Sequence, residues 1–172
     1  KISGSIISAV DLVKGIGKCA GLDVINVKGV TGYLDTNYKG KVQAVLDSLE
    51  KYDFSMIHIE APDETGHDGN YTKKVQAIND LDKKVISPLI KNLKKKFKEF
   101  KICLVSDHPT PIELRTHSYE YVPFMIYDSR KSVKNHNEST FNEKTVIKSD
   151  LVIEDGFTLL ERFLNDWFCL FP

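Results

Sequence analysis

Sulfur is scarce in this chain and neither sign of charge prevails: 172 residues hold three cysteines, two methionines and one tryptophan, and 24 basic side chains balance 24 acidic ones. Without net charge there is no broad positive field of the kind that holds a phosphate backbone, so nucleic acid is not an expected partner. No apolar run approaches the roughly 20 residues needed to span a bilayer. The opening Lys1-Ile2-Ser3-Gly4 also lacks the charged-then-apolar order of a secretory signal. No membrane association is expected. Cys19, Cys103 and Cys169 are odd in number and lack C-x-x-C spacing, which argues against a disulfide framework and a thiolate zinc site. The expected setting is reduced and cytoplasmic. The chain begins at lysine and enters an apolar stretch at once, the pattern expected of a piece of a longer polypeptide.

What is present is an alternation of short apolar runs and helical patterns. No repeat, low-complexity segment or long linker interrupts it, so residues 1–172 read as one domain. The spacing predicts a helix over Ser8 to Ala20, a strand over Asp23 to Val27, a loop over Gly29 to Gly40 and a helix carrying Val42, Val45, Leu46 and Leu49. A strand follows from Phe54 to Glu60, then a loop through Gly69. From Tyr71 to about Lys98 the apolar positions Val75, Ile78, Leu81, Val85, Leu89, Leu93 and Phe97 step by three or four, predicting one long amphipathic helix. Pro88 is expected to kink it or to start a second segment. Ile102 to Val105 reads as a fully buried strand and Val122 to Tyr127 as another. Asp155 is a candidate cap for a last helix with Leu160, Phe163, Leu164, Trp167 and Phe168 on one face. The fold class implied is α/β, with a mainly parallel sheet and helices on both faces.

Such sheets place their sites beyond the carboxyl ends of the strands. Asp63 and His67 follow the strand ending near Glu60, and Asp107 and His108 follow the one ending near Val105. If those strands are parallel neighbours, all four side chains reach one edge. His117 lies nine residues beyond His108. Asp63, His67, Asp107, His108 and His117 form a mixed nitrogen and oxygen set suited to manganese, zinc, iron or magnesium. Five ligands are too many for one closed tetrahedral site and few for two octahedral ions, so one ion or an incomplete pair is implied. A two-metal centre serves phosphoryl transfer well.

Each feature has a plainer reading. Asp, Glu, His and Gly are ordinary turn residues. His58, inside a strand, suits a satisfied core position or one supporting a ligand, and His136 suits the surface. Lys94, Lys95 and Lys96 read as a solvated face at a helix C-terminus. The apolar tail of Trp167, Phe168, Leu170 and Phe171 either completes the core or covers an interface, leaving a homo-oligomer open.

Three stretches carry a resemblance: SAVDLVKGIG from Ser8 to Gly17, HIEAPDETGHDG ending at Gly69, and VSDHPTPIELRTH from Val105 to His117. With YLDTNY at Tyr33 to Tyr38 and LVIEDG at Leu151 to Gly156, the chain resembles the archaeal-type cofactor-independent phosphoglycerate mutases of the alkaline phosphatase superfamily. The resemblance implies an alkaline-phosphatase-like fold of which this chain is the C-terminal half of the catalytic domain. It implies interconversion of 3-phosphoglycerate and 2-phosphoglycerate through a phosphoserine, at two divalent ions, manganese foremost and magnesium, zinc or cobalt as substitutes. Asp63, His67 and His117 would then bind one ion, and Asp107 and His108 would help bind the second. An aspartate and the nucleophilic serine of the family have no counterpart in this chain, so the isolated piece is expected to be inactive. Lys14 matches a family lysine that orients the nucleophile and neutralises phosphate charge, against the plainer reading of a solvated helix lysine. Arg115 is a candidate bidentate phosphate ligand. Two other readings stay open: a phosphatase or different phosphotransferase of the same superfamily, and a non-catalytic binding domain that kept the fold.

Overall fold

The computed structural model describes residues 2–131, 140–149 and 151–165. His136, Cys169 and the tail residues Trp167, Phe168, Leu170 and Phe171 lie outside them. The chain forms two compact units, one of residues 1–98 and 110–118, the other of residues 99–109 and 119–172.

The first unit is built on a three-stranded parallel sheet in the order β2-β1-β3, with β1 at Gly4–Ile7, β2 at Asp23–Val24 and β3 at Phe54–Ile57. Every residue of β1 is buried, as a central parallel strand covered on both faces must be. β1 pairs with β3 from Gly4↔Phe54 to Ile7↔Ile57 and with β2 through Ser5↔Asp23 and Ile6↔Val24. Ser5 is a polar residue in this core, and its hydroxyl is satisfied by those of Ser48 and Ser55, each at 3.0 Å. Helix α1 spans Asp11–Cys19 and crosses from β1 to β2. Helix α2, Tyr38–Ser48, is capped by Asn37, whose side chain accepts from the Gly40 N–H at 2.8 Å, and it buries Val42, Val45 and Leu46.

In this unit the loop expected after β3 changes, and the long helix is divided, with Pro88 starting a second segment as expected. The segment after β3, expected as a loop, contains helix α3, Ala61–His67. Pro62 stands in its first turn, where no N–H is missed, so the proline that suggested a turn starts a helix instead. The long helix is in three pieces: α4 at Tyr71–Leu81, a π-helical segment at Asp82–Ile86, and α5 at Ser87–Lys96 with Pro88 in its first turn. Pro88 cannot supply an N–H to the preceding turn, and the wider turn before it absorbs the mismatch. The stripe also divides. Val85, Leu89 and Leu93 are buried together with Ala77 of α4, whereas Val75 and Ile78 are exposed. The buried row Ala77, Val85, Leu89 and Leu93 keeps steps that are multiples of four across the π segment, so Val75 and Ile78 fall beside it rather than on it.

The second unit holds an antiparallel pair, β4 at Lys101–Val105 and β5 at Phe124–Asp128, in register from Lys101↔Asp128 to Val105↔Phe124. This corrects the expectation of β3 and β4 as parallel neighbours, because β4 pairs in a sheet of its own. An apolar run does not encode strand direction. β4 is half-buried rather than fully buried, with Val105 exposed. Among the described residues of this unit, short helix α6, Glu143–Val146, a 3₁₀ turn at Gly156–Thr158 and helix α7, Leu159–Leu164, follow. Asp155 precedes the 3₁₀ turn and makes no side-chain cap. Phe163 of α7 is buried, and its carbonyl accepts from Lys101 Nζ at 2.5 Å. No helix among the described residues is long and apolar enough to cross a membrane.

Candidate metal centre

Helix α3 decides where two of the expected side chains go. Asp63 and His67 are four residues apart, so both lie on one face of the helix. Asp63 in the first turn is favoured by the unpaired N–H groups there, and His67 closes the last turn. Gly69 ends the helix at φ +65°, a conformation open to glycine. Asn70 then caps α4 by accepting from the Lys73 N–H at 3.0 Å.

His117 arrives from the segment 110–118 of the same unit. The N–H groups of Leu114 and Arg115 donate to the Pro111 carbonyl at 3.1 and 2.9 Å, a tight turn that ends with Arg115 at φ +52°. The strained turn aims His117 at α3. His67 Nε2 lies 3.2 Å from His117 Nε2 and 3.3 Å from Asp63 Oδ2, and His117 Nε2 lies 3.4 Å from Asp63 Oδ1. Ligand atoms held at about 2.1 Å around one tetrahedral cation stand roughly 3.4 Å from each other. The three donors therefore have the spacing of one face of a coordination polyhedron. Two imidazoles and a carboxylate also make the mixed set that first-row divalent ions accept.

The surroundings fix the donors for that role. His67 Nδ1 is 3.0 Å from the Arg115 carbonyl, which can only accept, so Nδ1 carries a proton and, in the neutral ring, the lone pair is on Nε2, the atom toward Asp63 and His117. The Arg115 carbonyl, followed by the Asp63 and Glu64 carboxylates, holds the His67 imidazole above its usual pKa against the opposing effect of desolvation. The Thr110 hydroxyl donates to Asp63 Oδ1, and Lys74 Nζ donates to the Thr110 carbonyl at 2.5 Å. Thr110 and Lys74 carry little signal in the sequence. The only local signal was that Thr110 precedes Pro111, which restricts its backbone to extended conformations.

The remaining expected residues stand as follows. Asp107 and His108 belong to the second unit, just past β4. Asp107 Oδ1 accepts from the His108 N–H at 3.0 Å, and Asp107 Oδ2 is 3.4 Å from His108 Nε2. Lys14 on α1 pairs with Asp11 at 3.0 Å, its own side chain 25% exposed and that of Asp11 96% exposed. Arg115 contributes its carbonyl to His67, and its side chain lies over Gly69, where a Cβ would come within 2.4 Å of Arg115 Nε. His58 Nδ1 shares a hydrogen bond with the Ser8 hydroxyl at 3.1 Å.

Comparison with known proteins gives a match to the metalloenzyme superfamily over residues 1–152. The chain is 48% identical over 164 residues to a probable 2,3-bisphosphoglycerate-independent phosphoglycerate mutase of Geobacter sulfurreducens, covering 95% of this chain and 41% of that protein. It is 46% identical over 149 residues to the corresponding mutase of Methanosarcina barkeri, covering 87% of this chain and 37% of that one. Among solved structures, a Pyrococcus horikoshii protein superposes with a TM-score of 0.77 at 30% identity, over 86% of this chain and 43% of that one. The cofactor-independent phosphoglycerate mutase of Thermoplasma acidophilum shares the fold, with a TM-score of 0.67 at 22% identity over 95% of this chain and 36% of that one. The chain thus spans well under half the length of these relatives. The superfamily implies divalent metal ions.

Proposed function

This chain belongs to the metalloenzyme superfamily, and from that premise we propose that its protein is a 2,3-bisphosphoglycerate-independent phosphoglycerate mutase, interconverting 3-phosphoglycerate and 2-phosphoglycerate in cytoplasmic glycolysis. The observation that carries the reading is the convergence of Asp63, His67 and His117 at 3.2 to 3.4 Å, in a chain 48% identical to a probable mutase over 95% of its length.

Asp63, His67 and His117 are proposed to hold one divalent ion, manganese foremost, with magnesium, zinc or cobalt as substitutes. Asp107 and His108 are proposed as ligands of a second. When bound, such ions supply the positive charge that offsets the oxygens of a transferring phosphoryl group. The protein's own contribution is positional. The Arg115 carbonyl holds the His67 Nδ1 proton away from the site, so in the neutral ring the opposite nitrogen offers its lone pair to the ion. Lys14 is proposed to exchange the solvated Asp11 carboxylate for a phosphate oxygen, at little loss because exposed ion pairs are weak. Arg115 is proposed as a second cation toward phosphate. The serine that accepts the phosphoryl group in the proposed reaction is sought in the remainder of the protein.

The test uses the full-length protein, stripped of metal and assayed with 3-phosphoglycerate. Formation of 2-phosphoglycerate on addition of manganese, without bisphosphoglycerate, is the expected result. Release of inorganic phosphate faster than isomerisation would replace the mutase reading by that of a phosphatase.

A further inference from the structure

A connection that lies outside the proposed ligands runs from α4 to Asp63. Lys74 Nζ donates to the Thr110 carbonyl at 2.5 Å, and the Thr110 hydroxyl donates to Asp63 Oδ1. Thr110 is 5% exposed, although its neighbours from Glu113 to His117 are open to solvent. The packing that buries it is close. A Cβ on Gly66 would stand 2.6 Å from the Thr110 carbonyl oxygen and 2.9 Å from both Thr110 Cγ2 and Lys74 Nζ.

Each contact restricts one freedom of the carboxylate. Threonine is stiff at χ1, and its methyl is wedged against Gly66, so its hydroxyl cannot turn away without displacing the helix. The ammonium on its carbonyl fixes the peptide, and Pro111 limits the residue to extended backbone. A donor held in this way fixes the plane of the Asp63 carboxylate, leaving Oδ2 toward His67 and Oδ1 toward His117.

We propose that Thr110 is the positioning residue of Asp63 and that Lys74 acts through it, the pair setting the affinity of this site for a divalent cation. The inference rests on the metal-binding reading of Asp63, His67 and His117. Groups that orient a metal ligand in this manner are typically worth about 10–100-fold in metal affinity.

The experiment titrates manganese alone into metal-stripped full-length protein and records the metal-free melting midpoint of each variant. Thr110→Val keeps the shape and removes the donor. It is expected to weaken manganese binding about 10–100-fold with its metal-free melting close to wild type. Thr110→Ser, which keeps the hydroxyl, is expected to stay within a few-fold of wild type. Lys74→Met is expected to weaken binding and Lys74→Arg to restore most of it. Equal affinity in wild type and Thr110→Val overturns the proposal, as does an equal loss in Thr110→Val and Thr110→Ser. If Thr110→Val does not fold, the Lys74→Met and Lys74→Arg pair decides, and equal affinities there overturn it. Absence of manganese binding by wild type overturns the metal-centre reading itself, which separates the two failures.

Discussion

His67 and His117 stand fifty residues apart in the chain and meet Nε2 to Nε2 at 3.2 Å. Two bare imidazole nitrogens cannot satisfy each other. One must be protonated, or a cation must share them. Asp63, with an oxygen 3.3 Å from one nitrogen and 3.4 Å from the other, already supplies negative charge at that point.

Loading the centre should therefore stabilise the fold. Metal-stripped protein at a manganese concentration a hundred times the dissociation constant is expected to gain about 2.7 kcal/mol through linkage, read as a rise in melting midpoint. Asp63→Ala and His67→Ala should each abolish most of that rise. An equal rise in wild type and both variants would contradict the assignment of these residues.

Gly66 offers a test of how closely α3 must approach the segment carrying His117. A methyl group there would meet the Thr110 carbonyl oxygen at 2.6 Å, and backbone cannot yield as a side-chain tip can. Gly66→Ala is expected to lower stability by about 1–3 kcal/mol, the usual penalty of overpacking. Denaturant unfolding of metal-free protein measures it, and an unchanged midpoint would show that the two segments separate freely.

Legibility followed the range of the physics involved. The spacing of Val42, Val45 and Leu46 was readable because it reflects a helix's own period, and all three are buried on α2. β1 leaves no such signal, because Gly4-Ser5-Ile6-Ile7 is buried on both faces and has no alternation to reveal it. α3 is hidden by Pro62 and Gly66, which read as breakers but sit in its first and last turns, while Gly69 just beyond ends it. Asp63, His67 and His117 were legible as types of residue, since their chemistry is local. Thr110 was not, since its importance depends on a partner 47 residues away.

The two described cysteines should differ sharply in reactivity. Cys19 is exposed on α1, whereas burial in β4 pushes the Cys103 thiol up to about 11. At pH 8 only about a thousandth of Cys103 is thiolate, and the thiolate is the nucleophile. Iodoacetamide at that pH is expected to label Cys19 at least ten times faster, as read by mass analysis of the separated peptides. Comparable rates would mean that β4 opens to solvent.

Lys41 extends the same argument to a charge. It is only 1% exposed, and its ammonium donates to the His58 carbonyl at 3.0 Å. Burial pushes its pKa below the usual lysine value, and the Glu60 carboxylate opposes part of that shift. A lysine with a depressed folded pKa penalises the fold while charged. The penalty is full below the folded pKa and fades as pH rises from there towards the unfolded value of about 10.4. Lys41→Met cannot titrate, so wild type should gain stability relative to the variant as pH is raised from 7 towards 10. Denaturant midpoints of the two proteins across that range measure the difference. A gap that stays constant, or moves in favour of the variant, would mean that the ammonium is solvated in the folded protein.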